Sequence, residues 1–246
     1  LRAGETITFS YNVVATDNSG AGNAASVAKT VTITITGTND QPTLTIADAI
    51  GAMNEGDGAA ALTDSGALSF ADLDTNDVVT VSKTSNSDIA WSGGTLDAGV
   101  ASALVAGFSV DQNSWDYSAS QNLDFLRAGE TITMSFDVVA TDDSGAGNAA
   151  SAATTVTITI TGTNDQPTLT IGDPVGALTE GNGTATLTDS GALSFADLDV
   201  NDAVTVSQSA NGDIAWSGGT LSAGVAAALV AGFSVDQNSW DYSASQ

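Results

Sequence analysis

The sequence predicts an all-β protein, built as tandem antiparallel β-sandwich domains joined head to tail, and three observations carry that prediction. Residues 1–121 recur without a gap as residues 126–246, an offset of 125 positions with roughly four in five aligned residues identical. That period is too long for a solenoid repeat and suits one small domain with its own core. Thr and Val are abundant, and strong helix formers other than Ala are scarce, which favours strands. Residues 30–37 and 155–162 both read Thr-Val-Thr-Ile-Thr-Ile-Thr-Gly. Their strict alternation places Val31, Ile33 and Ile35, and likewise Val156, Ile158 and Ile160, on one buried face of a strand.

The elements follow in order. Each alternating run leads into Thr-Asn-Asp-Gln-Pro (38–42 and 163–167) and then into a new alternating run at 43–46 or 168–171. Proline after a polar cluster, between strands that cannot close a tight hairpin, marks a domain junction. On that phase residues 41–165 form one complete repeat, 1–40 the end of a preceding one, and 166–246 the first two-thirds of the next. Within the complete repeat strands are expected at 43–46, 67–70, 78–82, 89–91, 108–110 with 114–118, 131–140 and 153–162. In the sixth of these Ile132, Met134, Phe136 and Val138 share a face. Val100, Leu104 and Val105 recur at roughly helical spacing, so 97–106 reads as a short helix or compact loop. Short strands separated by Gly/Asp turns complete the sandwich pattern.

Charge narrows the function. The chain carries 29 acids against four bases, a formal charge of −25. Nucleic acid and anionic membrane surfaces both require Lys and Arg, so neither is expected as a partner. The acids are mostly Asp in Gly- and Asn-rich loops, the oxygen chemistry that hard divalent cations take. Without a counter-ion, two carboxylates ~4 Å apart repel by roughly 4 kcal/mol at an effective dielectric of ~20. Cysteine and histidine are absent, so no disulfide forms and the usual nucleophile–base pairs cannot be assembled. No apolar run is long enough for a spanning helix, and membrane insertion is not expected.

Several ordered motifs carry a family resemblance. Ala-Thr-Asp-Asn-Ser-Gly (15–20), a strand and Gly-Thr-Asn-Asp-Gln-Pro (37–42) look like the end of a cadherin domain, where a similar Asn-Asp-x-Pro junction binds calcium. Gly-Ala-Leu-Ser-Phe-Ala-Asp-Leu-Asp (66–74), Leu-Arg-Ala-Gly-Glu-Thr-Ile-Thr (126–133) and Gly-Thr-Asn-Asp (162–165) bring the whole unit closer to the bacterial cadherin-like tandem repeats called VCBS repeats. Those occur in giant surface adhesins of the RTX type and in extracellular matrix proteins. The resemblance covers essentially the whole chain and implies cadherin/immunoglobulin-like domains, Ca2+ as cofactor, and an extracellular, bacterial cell-surface location.

Laid on that topology, carboxylates far apart in sequence converge on the junctions. Around Asn39 and Asp40 the expected ligands are Glu5 from below and Asp72, Asp74 and Asp142 from above. Around Asn164 and Asp165 they are Glu55, Asp124 and Glu130 from below, with Asp197 and Asp199 from above. Each set can supply much of the six to eight oxygens that calcium takes; magnesium, with its tighter octahedron, fits less well. Asp72-Leu-Asp-Thr-Asn-Asp77 resembles the start of an EF-hand loop but lacks its sixth-position Gly, and Lys83 stands where the closing Glu belongs.

The leading functional expectation is a structural extender of a large adhesin or surface fibre, rigidified by calcium at the inter-domain junctions. An alternative is a glycan- or protein-binding module that uses Trp91, Trp115 or the 97–106 segment against a cell-surface or matrix ligand. An enzyme is not expected. The remaining partners are neighbouring copies of the repeat, in cis on a longer chain or head to tail between chains. Residues 166–246 joined to 1–40 of a neighbour would make almost a whole repeat, short only of Asn122, Leu123, Asp124 and Phe125.

Overall fold

A computed structural model describes residues 1–245. It is built mostly of strands, with two short helices, and divides into two compact units. The first comprises Leu1–Asn122 with Thr131–Thr161, the second Leu123–Glu130 with Gly162–Gln246. No helix of the described residues is long and apolar enough to cross a membrane.

In the first unit β1 (Thr6–Val13) and β2 (Lys29–Thr36) form a two-stranded antiparallel ladder. Ile7 lies opposite Ile35, Phe9 opposite Ile33 and Tyr11 opposite Val31, so one face is wholly apolar. All of these side chains are exposed. There follow β3 (Thr43–Ile46), β4 (Ile50–Asn54), β5 (Ala61–Ala71), β6 (Thr80–Ser85), β7 (Ala90–Trp91), α1 (Ala98–Ala106), β8 (Phe108–Val110), β9 (Ser114–Ser120), β10 (Thr131–Thr141) and β11 (Thr154–Thr161). One sheet has the order β3-β5-β9-β8. The other runs β4-β11-β10-β6, with β7 paired to β10 beside β6.

The two sheets face each other across a common core. Ile132, Met134, Phe136 and Val138 of β10 and Val156, Ile158 and Ile160 of β11 are all buried, as the alternation requires. Phe108 of β8 stacks on Phe136 of β10 with ring centroids 4.1 Å apart, and Lys83 Nζ caps both rings while donating to the Phe108 carbonyl oxygen. Trp115 and Tyr117 fill the opposite layer; Trp115 Nε1 donates to Asp48 O at 2.7 Å and the Tyr117 hydroxyl to Leu104 O at 3.1 Å. A Cβ at position 66 would fall 2.2 Å from Trp115 Nε1, so Gly66, opposite Trp115 in the β5–β9 register, makes room for the indole.

One expectation is corrected here. Strand β4 has no counterpart in the predicted set, and it pairs with β11 in parallel, so the fold is not wholly antiparallel. The pairing with β11 draws it there: the chain leaves β3, bends at Asp48, whose carboxylate accepts from Ile50 N at 3.1 Å, and passes to the other sheet. A strand that switches sheets turns one corner of the fold. Gly51 allows the close approach, since a Cβ there would meet Ile158 Cδ1 at 2.5 Å. The 97–106 segment resolves as the helix α1, capped by Asp97, which accepts from Gly99 N and Val100 N, with Leu104 buried beneath it.

The second unit holds β12 (Thr168–Ile171), β13 (Thr186–Ala196), α2 (Ala223–Ala231), β14 (Phe233–Val235) and β15 (Ser239–Ser245), in one sheet of order β12-β13-β15-β14. Its registers match those of β3, β5, β9 and β8 at the 125-residue offset. Trp240 Nε1 donates to Asp173 O at 2.6 Å, the counterpart of the Trp115 bond. Residues 175–179 and 205–210, which correspond to β4 and β6, lie outside any strand.

Candidate metal centre

The acidic residues of the first unit gather where the linking segment after β2 meets two turns. The first turn, between β5 and β6, is shaped by its own carboxylates. Asp74 N donates to Asp72 Oδ1 at 2.9 Å, and Asp77 N donates to Asp74 O at 2.9 Å. The second turn follows β10, where Asp142 Oδ1 accepts from Ser144 N at 2.9 Å and from the Ser144 hydroxyl. Such local bonds are the usual occupation of a turn Asp.

The linking segment is pinned to both. Asp40 N donates to Asp74 Oδ2 at 2.8 Å, and Asn39 Nδ2 donates to Asp142 Oδ2 at 3.1 Å. Asn148 Nδ2 donates to Asn39 O at 2.9 Å, and Gln41 Nε2 donates to Ala150 O at 2.5 Å. The result is a compact acidic knot: one carboxylate oxygen each from Asp72, Asp77 and Asp142 lie within 4.8 Å of one another.

The knot contains buried oxygens with nothing to accept. Asn39 Oδ1, Asp72 Oδ2 and Asp77 Oδ2 are buried and receive no hydrogen bond. Most buried polar atoms in folded proteins are satisfied, and oxygens of this kind could hold a metal ion. Asp74 is 1 % exposed and Asp142 6 %, while the Asp77 carboxylate is wholly covered. Burial pushes the Asp77 carboxyl up from its ordinary range; Arg2 opposes the shift, and the neighbouring Asp142, Asp143 and Asp74 charges add to it. Burial acts the same way on Asp142, but bonds from Ser144 and Asn39, aided by Arg2, outweigh it and hold that carboxyl low.

Arg2 supplies the cationic side chain here. Its Nε lies 2.7 Å from Asp77 Oδ1, and a terminal nitrogen lies 3.1 Å from Asp143 Oδ1. Asp143 also accepts from Val78 N at 3.0 Å. Arg2, Asp77 and Asp143 were not among the expected site residues. For Asp77 the signal was present, as the last acid of the loop set aside for its poor EF-hand match. The Arg2 pairing spans long sequence separations and leaves no local trace.

The remaining expected residues are placed as follows. Glu5 is occupied: Oε1 accepts from Asn76 Nδ2 at 2.7 Å and Oε2 from Arg2 N at 3.0 Å. It therefore braces the knot rather than joining the triad. Glu55 is buried, and its backbone N donates to Thr161 O at 2.9 Å. In the second unit Asp165 N donates to Asp199 Oδ2 at 2.9 Å and Asp199 N to Asp197 Oδ1 at 3.1 Å, repeating the Asp40–Asp74–Asp72 chain. Asn164 Nδ2 donates to Asp165 O, Asn201 Nδ2 donates to Glu130 Oε1 at 2.6 Å, and Asp124 is buried in the turn before β10. Asp199 Oδ1 is buried without a hydrogen bond, and its carboxyl is pushed up by burial and then by Asp202, Asp197 and Glu130. Arg127 stands 3.5 Å from Asp202.

Compared with known proteins, the chain matches no family model and no curated protein.

Proposed function

We propose that the chain is a non-enzymatic structural extender of a large extracellular adhesin or surface fibre, made of cadherin-like repeats whose junctions are stiffened by calcium. The observation that carries this reading is the set of buried, unbonded oxygens of Asn39, Asp72 and Asp77 beside the Asp142 carboxylate. Asp72, Asp77 and Asp142 would hold the ion, with Asn39 adjacent; Asp197, Asp199 and Asp202 are the matching acids of the second unit. A bound dication would supply neutralisation of carboxylates that otherwise repel. The protein's own contribution is to bring three separate segments, 39–40, 72–77 and 142–143, to one place and to hold them there by backbone bonds. A hinge made of repelling acids is loose, and the same hinge cross-linked through a cation is stiff.

The alternative of an aromatic binding face draws less support. Trp115 and Tyr117 are fully buried anchors with their polar atoms bonded inside the core, whereas a stacking platform needs exposed rings.

Thermal unfolding and small-angle scattering, each in chelator and in millimolar calcium, test the proposal. A ligand held at 100 times its dissociation constant adds about 2.7 kcal/mol to the folded state. Calcium should therefore raise the melting temperature and lengthen the particle. Unchanged values in both measurements would reduce the carboxylates to solvated turns.

A further inference from the structure

We infer that Arg2 and Arg127 are internal counter-cations of the acidic knots, each holding the last Asp of its loop until a divalent cation takes that carboxylate. The inference rests on the calcium reading above and adds the residue that sets how much calcium the junction needs. Against 29 acids the chain has only two arginines, and they stand 125 positions apart in the same Leu-Arg-Ala-Gly-Glu stretch. Each reaches the final acid of an Asp-Leu-Asp-x-Asn-Asp loop: Arg2 Nε lies 2.7 Å from Asp77 Oδ1, and Arg127 Nε 3.5 Å from Asp202 Oδ1. The backbone presents both in one way. Glu5 N donates to Arg2 O at 3.0 Å and Glu130 N to Arg127 O at 2.9 Å, closing a turn. Gly4 N then donates to Gly37 O and Gly129 N to Gly162 O, which ties each turn to the start of the linking segment. The Glu carboxylates fix the loops through Asn76 and Asn201.

The geometry at Asp77 is that of a shared carboxylate. Its side chain is wholly covered, Oδ1 faces Arg2, and Oδ2 receives no hydrogen bond. A covered carboxylate without a cation is costly, so Asp77 needs a positive partner at all times. Arg2 is built to supply one and to let go. Its planar fork spans two acids, with a terminal nitrogen 3.1 Å from Asp143 Oδ1 and 3.3 Å from Asp143 O. Asp143 lies outside the Asp72, Asp77 and Asp142 triad, so Arg2 keeps an anchor when Asp77 turns to an ion. The Arg2 side chain is also a third exposed, which leaves the guanidinium room to move. Calcium binds carboxylate oxygens at about 2.3–2.6 Å and brings two charges where Arg2 brings one. The two cations therefore compete for Asp77. The fraction of molecules in which Arg2 has released it sets the apparent affinity.

Nuclear magnetic resonance of the full chain during a calcium titration tests it. The two arginines give two Nε–H signals, and Arg127→Met identifies which belongs to Arg2. In wild type, calcium should shift the Arg2 Nε–H signal and speed its exchange with water. Affinity at the first knot is read from the backbone amide signals of Asp77 and Asp142. Arg2→Met should bind calcium about fivefold more tightly or better, the ratio by which an ion pair of this exposure favours the closed state. Thermal unfolding supplies a further readout: Arg2→Met should melt below wild type in chelator, and saturating calcium should close the gap. An Arg2 signal that stays unmoved at saturation overturns the inference on the wild-type chain alone, whether or not the variant folds. So does an Arg2→Met chain that binds calcium no more tightly than wild type. Both results leave the calcium reading standing. Amide signals that calcium does not move in either chain would overturn that reading, and this inference with it.

Discussion

Strands β1 and β2 and strands β10 and β11 are close copies with the same register, yet the first pair is exposed along its whole length and the second is buried. The ladder itself is thus a local product of alternation and cross-strand pairing, of Phe9 opposite Ile33 or Met134 opposite Ile158. Burial is not local. It comes from the sheet β3-β5-β9-β8 lying across from β10 and β11. The flanking strands report the same thing from the other side. Residues 50–54 and 80–85 are strands beside β10 and β11, whereas 175–179 and 205–210, similar in sequence, are not. Strand propensity here is a capacity that a partner realises.

The most disruptive test of that comparison is truncation at equivalent positions. Phe136→Ala removes a ring stacked at 4.1 Å in a closed core and should cost about 3–5 kcal/mol. Tyr11→Ala, at the exposed equivalent, should change stability by less than about 0.5 kcal/mol in dilute solution. Urea unfolding of both variants decides it; equal effects would mean that β1 and β2 are packed as tightly as β10 and β11.

The two acidic knots differ in their arginine contacts. Arg2 reaches a fully covered Asp77 at 2.7 Å, whereas Arg127 stands 3.5 Å from a partly exposed Asp202. With Arg2 itself a third exposed, Arg2→Met should cost about 1 kcal/mol in chelator, and Arg127→Met close to none. Differential scanning calorimetry of the two variants checks the order, and a larger loss for Arg127→Met would reverse the comparison.

Acid should act by sign. Asp142 and Asp143 have lowered folded-state pKa values, Asp142 through bonds that outweigh its burial and Asp143 chiefly through the Val78 N bond. Their stabilisation is present above the ordinary carboxylate range and is lost as pH falls through the lowered values. Asp77 is raised, so its ionisation opposes folding as pH rises through the ordinary range. In chelator near neutrality Asp77→Asn should therefore be at least as stable as wild type, and a pH series of melting temperatures should show the variant losing least near neutrality.

Much of this was legible in sequence. The alternation in 131–140 and 153–162 marked β10 and β11 within a residue or two, and the spacing of Val100, Leu104 and Val105 marked α1. The topology implied by the family resemblance brought Asn39 and Asp40 toward Asp74 and Asp142, and Asp40 N bonds Asp74 while Asn39 bonds Asp142. What escaped was set by distant partners. Strand β4, Ile-Gly-Ala-Met-Asn, shows no alternation and exists because β11 lies alongside it. Asp77 enters the knot because its turn folds back through the Asp74 carbonyl, and Arg2 because its guanidinium finds acids 75 and 141 positions away.

Calcium titration by calorimetry on wild type and on Asp77→Asn tests the calcium junction most directly. Saturable binding in wild type, weakened at least tenfold in Asp77→Asn while the variant stays folded in chelator, is the predicted result. No binding heat in wild type up to about 10 mM calcium, well above the weak extracellular range of ~10⁻⁴–10⁻³ M, would contradict it.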